Sequence, residues 1–416
     1  MRHRHVLRAG AALLMAGIAL ITPTAASADD TVSALATAGT AATIGGYPVW
    51  AHFNNPGIEK DGVADDTIHL ELERLIDAAP AGSTIQGSIY SLTLNSVAQA
   101  LVDAQTRGVT VRVVLDGKNA TTGATAVTTI KKLTNHRFCS YGTGNACIST
   151  SATGDMHTKM FTFSATTDPN GVNRTQVAWF GSANLTTATG PKSFNNAITV
   201  YGDAALTAGL NANFTDMWNQ AHFDGNDYYD AFAPRGYFVA SAASGYSSPE
   251  AEGQTDSIVT RLNDVTPDEN CRLRISVAFV TAGRPELLAQ ILKMRAAGCQ
   301  IWMVASTTDT GDIWVNSTVY NELLTAGVKI RRQYNVHDKY FALYGKFTDT
   351  YRYRIYTGSQ NWTADALSGN DELFVKMAWE TGTTHPLYTA YYNHFMDTYN
   401  EGTTCTIANY PCREVV

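Results

Sequence analysis

One arrangement of residues occurs twice in the sequence: HTKMFTFSATTDPNGVNRTQVAWFGSAN at residues 157–184 and HDKYFALYGKFTDTYRYRIYTGSQN at residues 337–361. Each copy opens with His-x-Lys and closes with Gly-Ser-x-Asn. Either motif alone would mean little, because short polar motifs arise by chance. Both motifs occur twice in the chain and in the same order. This ordered pairing indicates a duplicated functional unit.

Each copy has the pattern of a β-hairpin. Alternating apolar residues follow the histidine, a turn comes next, and a second strand leads into Gly-Ser-x-Asn. Residues i and i+2 of a strand project from the same face, so we expect His157 to point with Lys159 and His337 with Lys339. The turn then returns the Gly-Ser-x-Asn segment beside them.

The residue types suit the binding and cleavage of a phosphodiester anion. Lysines can hold the non-bridging oxygens, and hydroxyl and amide groups can donate hydrogen bonds to them. One imidazole can attack phosphorus while the other protonates the leaving oxygen and then activates water. A reaction that needs two histidines in opposite roles explains the duplication. The expected phosphate-binding residues are Lys159, Lys339, Ser182, Asn184, Ser359 and Asn361.

A larger repeat surrounds the motifs. A strand, a helix, a glycine that ends the helix and a second strand occur in both halves, which is typical of a βαβ unit with parallel strands. The chain therefore reads as two α/β lobes of similar construction. The repeated segments are 88–91, 94–107, Gly108 and 109–115, then 275–280, 285–297, Gly298 and 301–305.

The lobes are predicted at 44–235 and 250–416. The residues between them are rich in Gly, Ser and Ala and are interpreted as a linker. Residues 1–28 combine a basic start, a short apolar run and small residues at the end, which predicts a secretory signal peptide. The Ala- and Thr-rich stretch 29–43 is expected to be a loose or weakly helical low-complexity lead-in.

Composition and charge exclude several classes of protein. The content of 44% hydrophobic and 16% charged residues excludes a disordered chain. No segment after the signal approaches the ~20 apolar residues of a membrane-spanning helix. Removal of the signal takes three of the 30 Lys and Arg residues and none of the 37 Asp and Glu residues, which leaves a net charge of −10. This acidity disfavours a nucleic-acid-binding protein.

The six cysteines favour disulfide bonds, since export leads to an oxidising compartment. No Cys-x-x-Cys or paired Cys/His spacing favours the alternative of metal binding. We prefer the pairing of cysteines that are near one another in the sequence. The predicted pairs are Cys139–Cys147, Cys271–Cys299 and Cys405–Cys412.

The paired motifs resemble those of the phospholipase D superfamily, over roughly residues 60–400. The resemblance implies two similar α/β/α lobes related by a pseudo-two-fold axis, with the active site at their interface. It also implies metal-independent phosphodiester cleavage through a covalent phosphohistidine, with no cofactor. By analogy with secreted members, His157 is assigned as the nucleophile and His337 as the acid.

Two features depart from the usual family pattern, HxKxxxxD. The position of the motif Asp is taken by Ser164 in the first half and by Tyr344 in the second. Many members carry an acidic residue after Gly-Ser-x-Asn that orients a histidine; Glu372 fits this pattern, whereas Ala197 is expected at its first-half counterpart. An imidazole without an orienting carboxylate loses control of its tautomer. The chain is therefore expected to be a divergent enzyme, an asymmetric one or an inactive relative.

The leading hypothesis is a secreted, monomeric phospholipase D-like enzyme that acts at a membrane or micelle surface. It would release phosphatidic acid and an alcohol from glycerophospholipids. A secreted endonuclease of the same superfamily is the first alternative, and only this alternative implies a nucleic-acid partner. A catalytically inactive extracellular binding protein with the same fold is the second. No protein partner is implied.

Overall fold

The structure is a computed structural model that describes residues 38–56, 63–230, 232–233, 235–251, 253–307, 312–380 and 383–413. The predicted signal peptide lies outside these residues. Within the described ranges, no helix has both the length and the apolar character needed to cross a membrane.

Two mixed β-sheets form the frame of the molecule. The strands of the first sheet are β1 (Thr40–Ile44), β2 (Tyr47–Asn54), β3 (Thr84–Ile89), β4 (Thr110–Leu115), β5 (Asn135–Phe138), β6 (Met160–Thr167), β7 (Asn173–Gly181) and β8 (Asn195–Tyr201). The strands of the second are β9 (Tyr237–Val239), β10 (Ala243–Ser248), β11 (Val265–Thr266), β12 (Arg272–Val277), β13 (Gln300–Thr307), β14 (Lys329–Tyr334), β15 (Lys339–Phe347), β16 (Thr350–Gly358), β17 (Glu372–Ala378) and β18 (Thr403–Thr404).

The helices connect and cover these strands. They are α1 (Thr67–Asp77), α2 (Asn95–Thr106), α3 (Thr125–Ile130), α4 (Ala204–Asn219), α5 (Ser257–Asn263), α6 (Pro285–Ala296), α7 (Ser317–Thr325) and α8 (Pro386–Glu401).

The two sheets repeat one topology. The order β8-β7-β6-β3-β4-β5 in the first sheet matches β17-β16-β15-β12-β13-β14 in the second. In both, a helix connects a parallel pair, β3 with β4 and β12 with β13, and antiparallel hairpins follow. The predicted βαβ repeat and the two-lobe α/β fold are confirmed.

The elements lie in five layers. Helices α1, α2 and α3 pack on the outer face of the first sheet, and α5, α6 and α7 pack on the outer face of the second. Helices α4 and α8 lie between the sheets, where they contact strands of both. Alternate side chains of strand β4 show that both faces of the sheet are covered. Val111 and Val113 pack with the outer helices. Val114 belongs to the core between the sheets, and the Arg112 guanidinium lies 4.4 Å from the Trp218 ring of α4.

Two boundary predictions differ from the structure. The segment interpreted as a linker contains β9 and β10, and β10 is fully buried and pairs with β17. Its small residues allow close packing, since a Cβ on Gly245 would overlap the Phe238 ring. The lead-in expected over residues 29–43 includes β1, which turns into β2 through Gly45 and Gly46, both with positive φ.

All three predicted disulfide pairs are confirmed. Cys139–Cys147 links the end of β5 to the loop that precedes the first motif, and Cys271–Cys299 joins the starts of β12 and β13. Cys405–Cys412 closes the C-terminal segment after β18.

Candidate active site

Both motif histidines lie at the interface between the lobes. His157 and His337 come just before β6 and β15, so the expectation that they lie within these strands is wrong. The reason is that their backbone N–H groups bind the opposite lobe: His157 N donates to Asp371 O at 2.9 Å, and His337 N donates to Phe194 O at 2.9 Å. The pseudo-two-fold arrangement thus joins the first motif to the residue before β17 and the second motif to the residue before β8.

A carboxylate from the second lobe holds His157. Its Nδ1 lies 2.8 Å from Oε2 of Glu372, which is fully buried at the start of β17. The Ser359 hydroxyl donates to the same carboxylate oxygen at 2.5 Å, and Asn370 Nδ2 donates to Oε1 at 3.3 Å. With Nδ1 turned to the carboxylate, Nε2 is the nitrogen that remains for chemistry.

An amide from the first lobe holds His337. Its Nδ1 lies 3.0 Å from Asn195 Oδ1, which also accepts a hydrogen bond of 3.0 Å from the Ser182 hydroxyl. Asn195 Nδ2 donates to three backbone carbonyls, and this fixes the direction of the amide. His337 Nδ1 must therefore carry a proton. The three carbonyls, each at 3.1 Å, belong to Thr189, Gly190 and Ser193.

Asn195 is the counterpart of Glu372. Each is the first residue of its strand, and each lies 13 residues after the motif serine that it binds. The prediction that placed Ala197 opposite Glu372 is wrong, because Ala197 is a buried residue within β8. The equal spacing from the serines was the signal in the sequence that would have found Asn195.

Both motif lysines are buried, and their charges influence one another. Lys159 Nζ donates to the His157 carbonyl at 2.6 Å, and Lys339 Nζ donates to the His337 carbonyl at 2.7 Å. Burial lowers the pKa of Lys159 to about 7. Burial, and then the charge of Lys159, also lower the pKa of Lys339. Two cations that destabilise one another in a buried site favour the binding of an anion between them.

The same surroundings act on the other ionisable groups. Burial and the lysine charges hold the pKa of both His157 and His337 well below the ordinary range of histidine. Burial raises the pKa of Glu372 to about 7, against the opposing effects of the Lys159 charge and the Ser359 hydrogen bond. Perturbed groups of both signs at one interface are typical of a functional site.

The motif serines and asparagines have different surroundings. Each serine hydroxyl donates its single proton to the side chain that holds a motif histidine. Ser182 donates to Asn195, and Ser359 donates to Glu372. This use does not fit the phosphate-binding role that we predicted for the serines. In contrast, the Oδ1 atoms of Asn184 and Asn361 are buried and make no hydrogen bond within the described part of the chain.

Several residues near His157 were not predicted. Asp116 accepts hydrogen bonds from the N–H groups of Lys118 and Met156, at 2.9 Å each, and so fixes the segment before His157. The Tyr90 ring lies 4.5 Å from the His157 ring, and Lys159 Nζ lies 4.7 Å from the centre of the Tyr90 ring. Asp116 and Tyr90 follow β4 and β3, so their place at the carboxyl edge of parallel strands was a signal in the sequence.

Asp371 and Asp338 are further buried carboxylates beside the motifs. Asp371 accepts three backbone N–H groups of the 147–149 turn, at 2.6 to 3.0 Å. Asp338 lies between the second-motif histidine and lysine and pairs with His394 at 2.9 Å. Asp338 also accepts from Asn196 at 2.9 Å, which ties the second motif to the strand of Asn195.

The two residues at the family's motif-Asp position lie outside this cluster. Ser164 accepts a hydrogen bond of 2.8 Å from Thr84 N at an exposed part of the sheet. The ring of Tyr344 stacks on that of Tyr351 with centroids 5.5 Å apart, and it is tilted against the Tyr353 ring at 4.5 Å. Within the described ranges, no group of three or more His, Cys, Asp or Glu residues is placed to hold a metal ion.

Comparisons with known proteins agree with this architecture. The family model described as "Cardiolipin synthase, PLD-like domain" matches residues 72–218 and 269–395, one segment in each lobe. Phosphatidylserine synthase of Haemophilus influenzae is similar with a TM-score of 0.55 and 9% identity, over 92% of this chain and 94% of that one. Polyphosphate kinase of Porphyromonas gingivalis is similar with a TM-score of 0.51 and 13% identity, over 79% of this chain. The chain spans only 44% of that kinase. No curated protein matches the chain.

Proposed function

Because the chain belongs to the phospholipase D superfamily, we propose that it is a phosphodiesterase that hydrolyses glycerophospholipids to phosphatidic acid and an alcohol. One observation carries the proposal: each motif histidine is held by a side chain of the other lobe, Glu372 for His157 and Asn195 for His337. This arrangement brings two imidazoles and two buried ammonium groups to one interface. A phosphate diester is an anion that such a site can bind and cleave.

The orienting residues support His157 as the nucleophile. Attack by its Nε2 on phosphorus forms an N–P bond, and the bond from phosphorus to the head-group oxygen breaks. The imidazole ring becomes positive in this step. The Glu372 carboxylate, which accepts Nδ1–H, stabilises that charge, whereas Asn195 offers His337 only a neutral oxygen.

His337 suits the opposite role of acid and base. A bound phosphodiester anion favours its protonated form, since opposite charges in contact raise the pKa of an imidazole. Its Nε2–H then protonates the leaving oxygen. In the second step, the neutral Nε2 takes a proton from water, the water oxygen attacks phosphorus, and the N–P bond to His157 breaks. Asn195 Oδ1 accepts the Nδ1 proton throughout.

The lysines and asparagines supply the binding of the phosphate. Lys159 and Lys339 neutralise the non-bridging oxygens, and each is oriented by the carbonyl of its own motif histidine. The side chains of Asn184 and Asn361 lie at equivalent positions, and only their Nδ2 groups can donate to a phosphate oxygen. Asn184 Nδ2 donates one of its two protons to Thr189 Oγ1 at 3.1 Å. We assign the second proton of Asn184 Nδ2 and the Nδ2 group of Asn361 to the phosphate as neutral donors.

Secretion is part of the proposal. The three disulfides support it, because disulfides persist in oxidising compartments. A phospholipid substrate is supported by the family model, whose description names a cardiolipin synthase, and by the acidic net charge of the chain. No residue outside the single chain is needed to complete the site, so the monomer is the proposed active form.

The experiment compares lipid and nucleic acid as substrates. Purified mature protein is incubated with phospholipid vesicles and with plasmid DNA, each in the presence of a chelator, and the released head group and nicked DNA are measured. We expect head-group release that is lost in His157→Ala and in His337→Ala and kept in His136→Asn, a control outside the site. Plasmid cleavage without head-group release would support the endonuclease instead, and no turnover of either would support the binding protein.

A further inference from the structure

We propose that His69 and Arg284 are positioning residues, which fix the orientation of the two asparagines assigned to the phosphate. Each donates to the backbone carbonyl of one asparagine: His69 Nε2 lies 3.0 Å from Asn184 O, and Arg284 Nη1 lies 3.1 Å from Asn361 O. The inference rests on the proposed function, since it uses the assignment of Asn184 and Asn361 to the phosphate. Neither positioning residue belongs to a repeated motif.

The two contacts come from equivalent elements of the lobes. His69 is the third residue of α1, the helix that comes before the βαβ unit of the first lobe. The corresponding helix of the second lobe is α5, and Asp256, the residue before it, binds Arg284. The helix thus acts directly in the first lobe and through an ion pair in the second. Two chemically different side chains in the same structural role indicate a shared requirement of the site.

His69 is enclosed beside the first motif asparagine. It is 3% exposed, and burial lowers its pKa, so the imidazole is neutral at pH 7. Its Nδ1 has no partner among the described residues, and its Nε2 carries the proton that Asn184 O accepts. A Cβ on Gly190 would overlap the ring, so the glycine makes room for the histidine. Because Asn195 Nδ2 donates to Gly190 O, His69 packs against the loop that carries both asparagines of this lobe.

Arg284 is fixed by a buried carboxylate and uses its remaining donor on the second motif. Its Nε and Nη2 donate to the two oxygens of Asp256, at 2.7 Å each, and both side chains are at most 3% exposed. Its Nη1 donates to Asn361 O at 3.1 Å and to Gln360 Oε1 at 3.2 Å. The planar guanidinium fork can bind a carboxylate with two donors and a carbonyl with a third, which an ammonium group cannot do in this geometry.

The backbone that follows each motif asparagine is bound at two consecutive carbonyls. His69 and Arg284 bind the first, the carbonyl of the asparagine itself. The next carbonyl accepts from Thr93 N at 2.8 Å in the first lobe and from Thr281 N at 3.0 Å in the second. The asparagine side chain therefore starts from a fixed backbone. A donor that is oriented before the phosphate arrives loses less freedom on binding.

Neither contact adds net charge to the centre. His69 is neutral, and the charge of Arg284 is balanced by Asp256 at 2.7 Å. A further unbalanced cation would be unfavourable there, since burial already lowers the pKa of Lys159 and of Lys339. The two residues are therefore suited to orient the donors of the phosphate rather than to bind the phosphate themselves.

The experiment measures the binding of inorganic phosphate and the cleavage of bis(p-nitrophenyl) phosphate by the mature protein. Isothermal titration calorimetry gives Kd, and steady-state kinetics give kcat and KM separately. His69→Leu removes the donor and keeps an apolar side chain, and Arg284→Lys removes the planar fork. We expect each variant to raise Kd and KM about ten-fold and to change kcat by less than about three-fold. His69→Gln, which keeps an N–H group in place of Nε2, is expected to recover most of the affinity.

Double variants test whether each residue acts through its asparagine. In the presence of Asn184→Ala, the addition of His69→Leu is expected to leave Kd unchanged. In the same way, Arg284→Lys is expected to add nothing to the effect of Asn361→Ala. A purely structural role would instead give a further loss of affinity in both double variants.

Two control variants remove the same kinds of contact away from the site. His136 Nδ1 donates to Leu133 O at 2.8 Å, and Arg74 binds Glu71 with two donors and Thr167 O with a third. His136→Leu and Arg74→Lys are expected to lower the thermal unfolding temperature and to keep Kd within about two-fold. Equal losses of phosphate affinity in the controls, or a further loss in the double variants, would overturn the positioning role alone. If the unchanged protein neither binds phosphate nor cleaves the diester, the proposed function itself fails, and the inference fails with it.

Discussion

The two histidines of the site are chemically unequal because their orienting residues are unequal. The Glu372 carboxylate on His157 and the Asn195 amide on His337 occupy equivalent positions, and only the first can balance a positive ring. A duplicated site that uses its two imidazoles in opposite roles gains from such a difference. The missing first-half acidic residue is therefore interpreted as a division of roles rather than as a loss of function.

The pH dependence of kcat/KM tests the role of Glu372. Burial raises the pKa of this carboxyl to about 7 in the free protein, and its ionised form is the one that accepts the His157 proton, so kcat/KM is expected to fall as pH drops through about 7. Glu372→Gln is expected to lower kcat/KM about 10- to 100-fold at pH 8 and to remove this fall at acidic pH. If the variant loses activity at acidic pH in the same way as the unchanged protein, the titrating group is not Glu372.

The motif-Asp positions give a contrasting prediction. Ser164 and Tyr344 contact neither the histidines nor the lysines, so Ser164→Ala and Tyr344→Phe are expected to keep kcat/KM within about two-fold of the unchanged protein. Steady-state kinetics on one phospholipid measure this. A loss of ten-fold or more in either variant would mean that the Asp position acts on the site over a distance.

At the scale of elements, the glycine of each Gly-Ser-x-Asn motif joins two strands at close range. A Cβ on Gly181 would overlap the carbonyl oxygen of Asn196 in β8, and one on Gly358 would overlap that of Leu373 in β17. Gly358 also has a φ of 148°, which disfavours other residues. The close approach is what lets each motif serine reach its orienting residue.

Gly358→Ala is therefore expected to reduce both stability and activity. The added methyl group meets backbone that cannot move freely, which costs about 1–3 kcal/mol, and it separates Ser359 from Glu372. Thermal unfolding and kcat measure the two effects. Gly123→Ala is the matched control, since a Cβ there has no neighbour within 4 Å. Equal behaviour of both variants would show that the motif glycine has no structural role.

The elements also show which features could be predicted from sequence. The βαβ repeat, the hairpins and the disulfides follow from local periodicity, turn residues and cysteine spacing, which act over short distances. Strands β9 and β10 were interpreted as a linker because their small residues resemble one. Only the pairing of β10 with β17, and of β9 with β10, makes them strands. The histidines lie before β6 and β15 because of hydrogen bonds to the other lobe, which no local pattern encodes.

At the scale of the whole molecule, the site exists only because the lobes share one core. Residues of both sheets and of α4 and α8 belong to a single buried cluster, which fixes the two motifs relative to each other. The residue types of the site could be predicted from the duplicated motifs. The partner of each histidine could not, since 215 residues separate His157 from Glu372 and 142 separate His337 from Asn195.

The crystal structure of the protein with bound vanadate would test whether one histidine from each lobe acts on the same phosphorus atom. Vanadate adopts the five-coordinate geometry of phosphoryl transfer. We predict a single vanadate with His157 Nε2 on one axial side, His337 Nε2 near the opposite axial oxygen, and Lys159 and Lys339 on its equatorial oxygens. Vanadate bound beside one histidine, with the other too remote to touch the axial oxygen, would contradict the shared site.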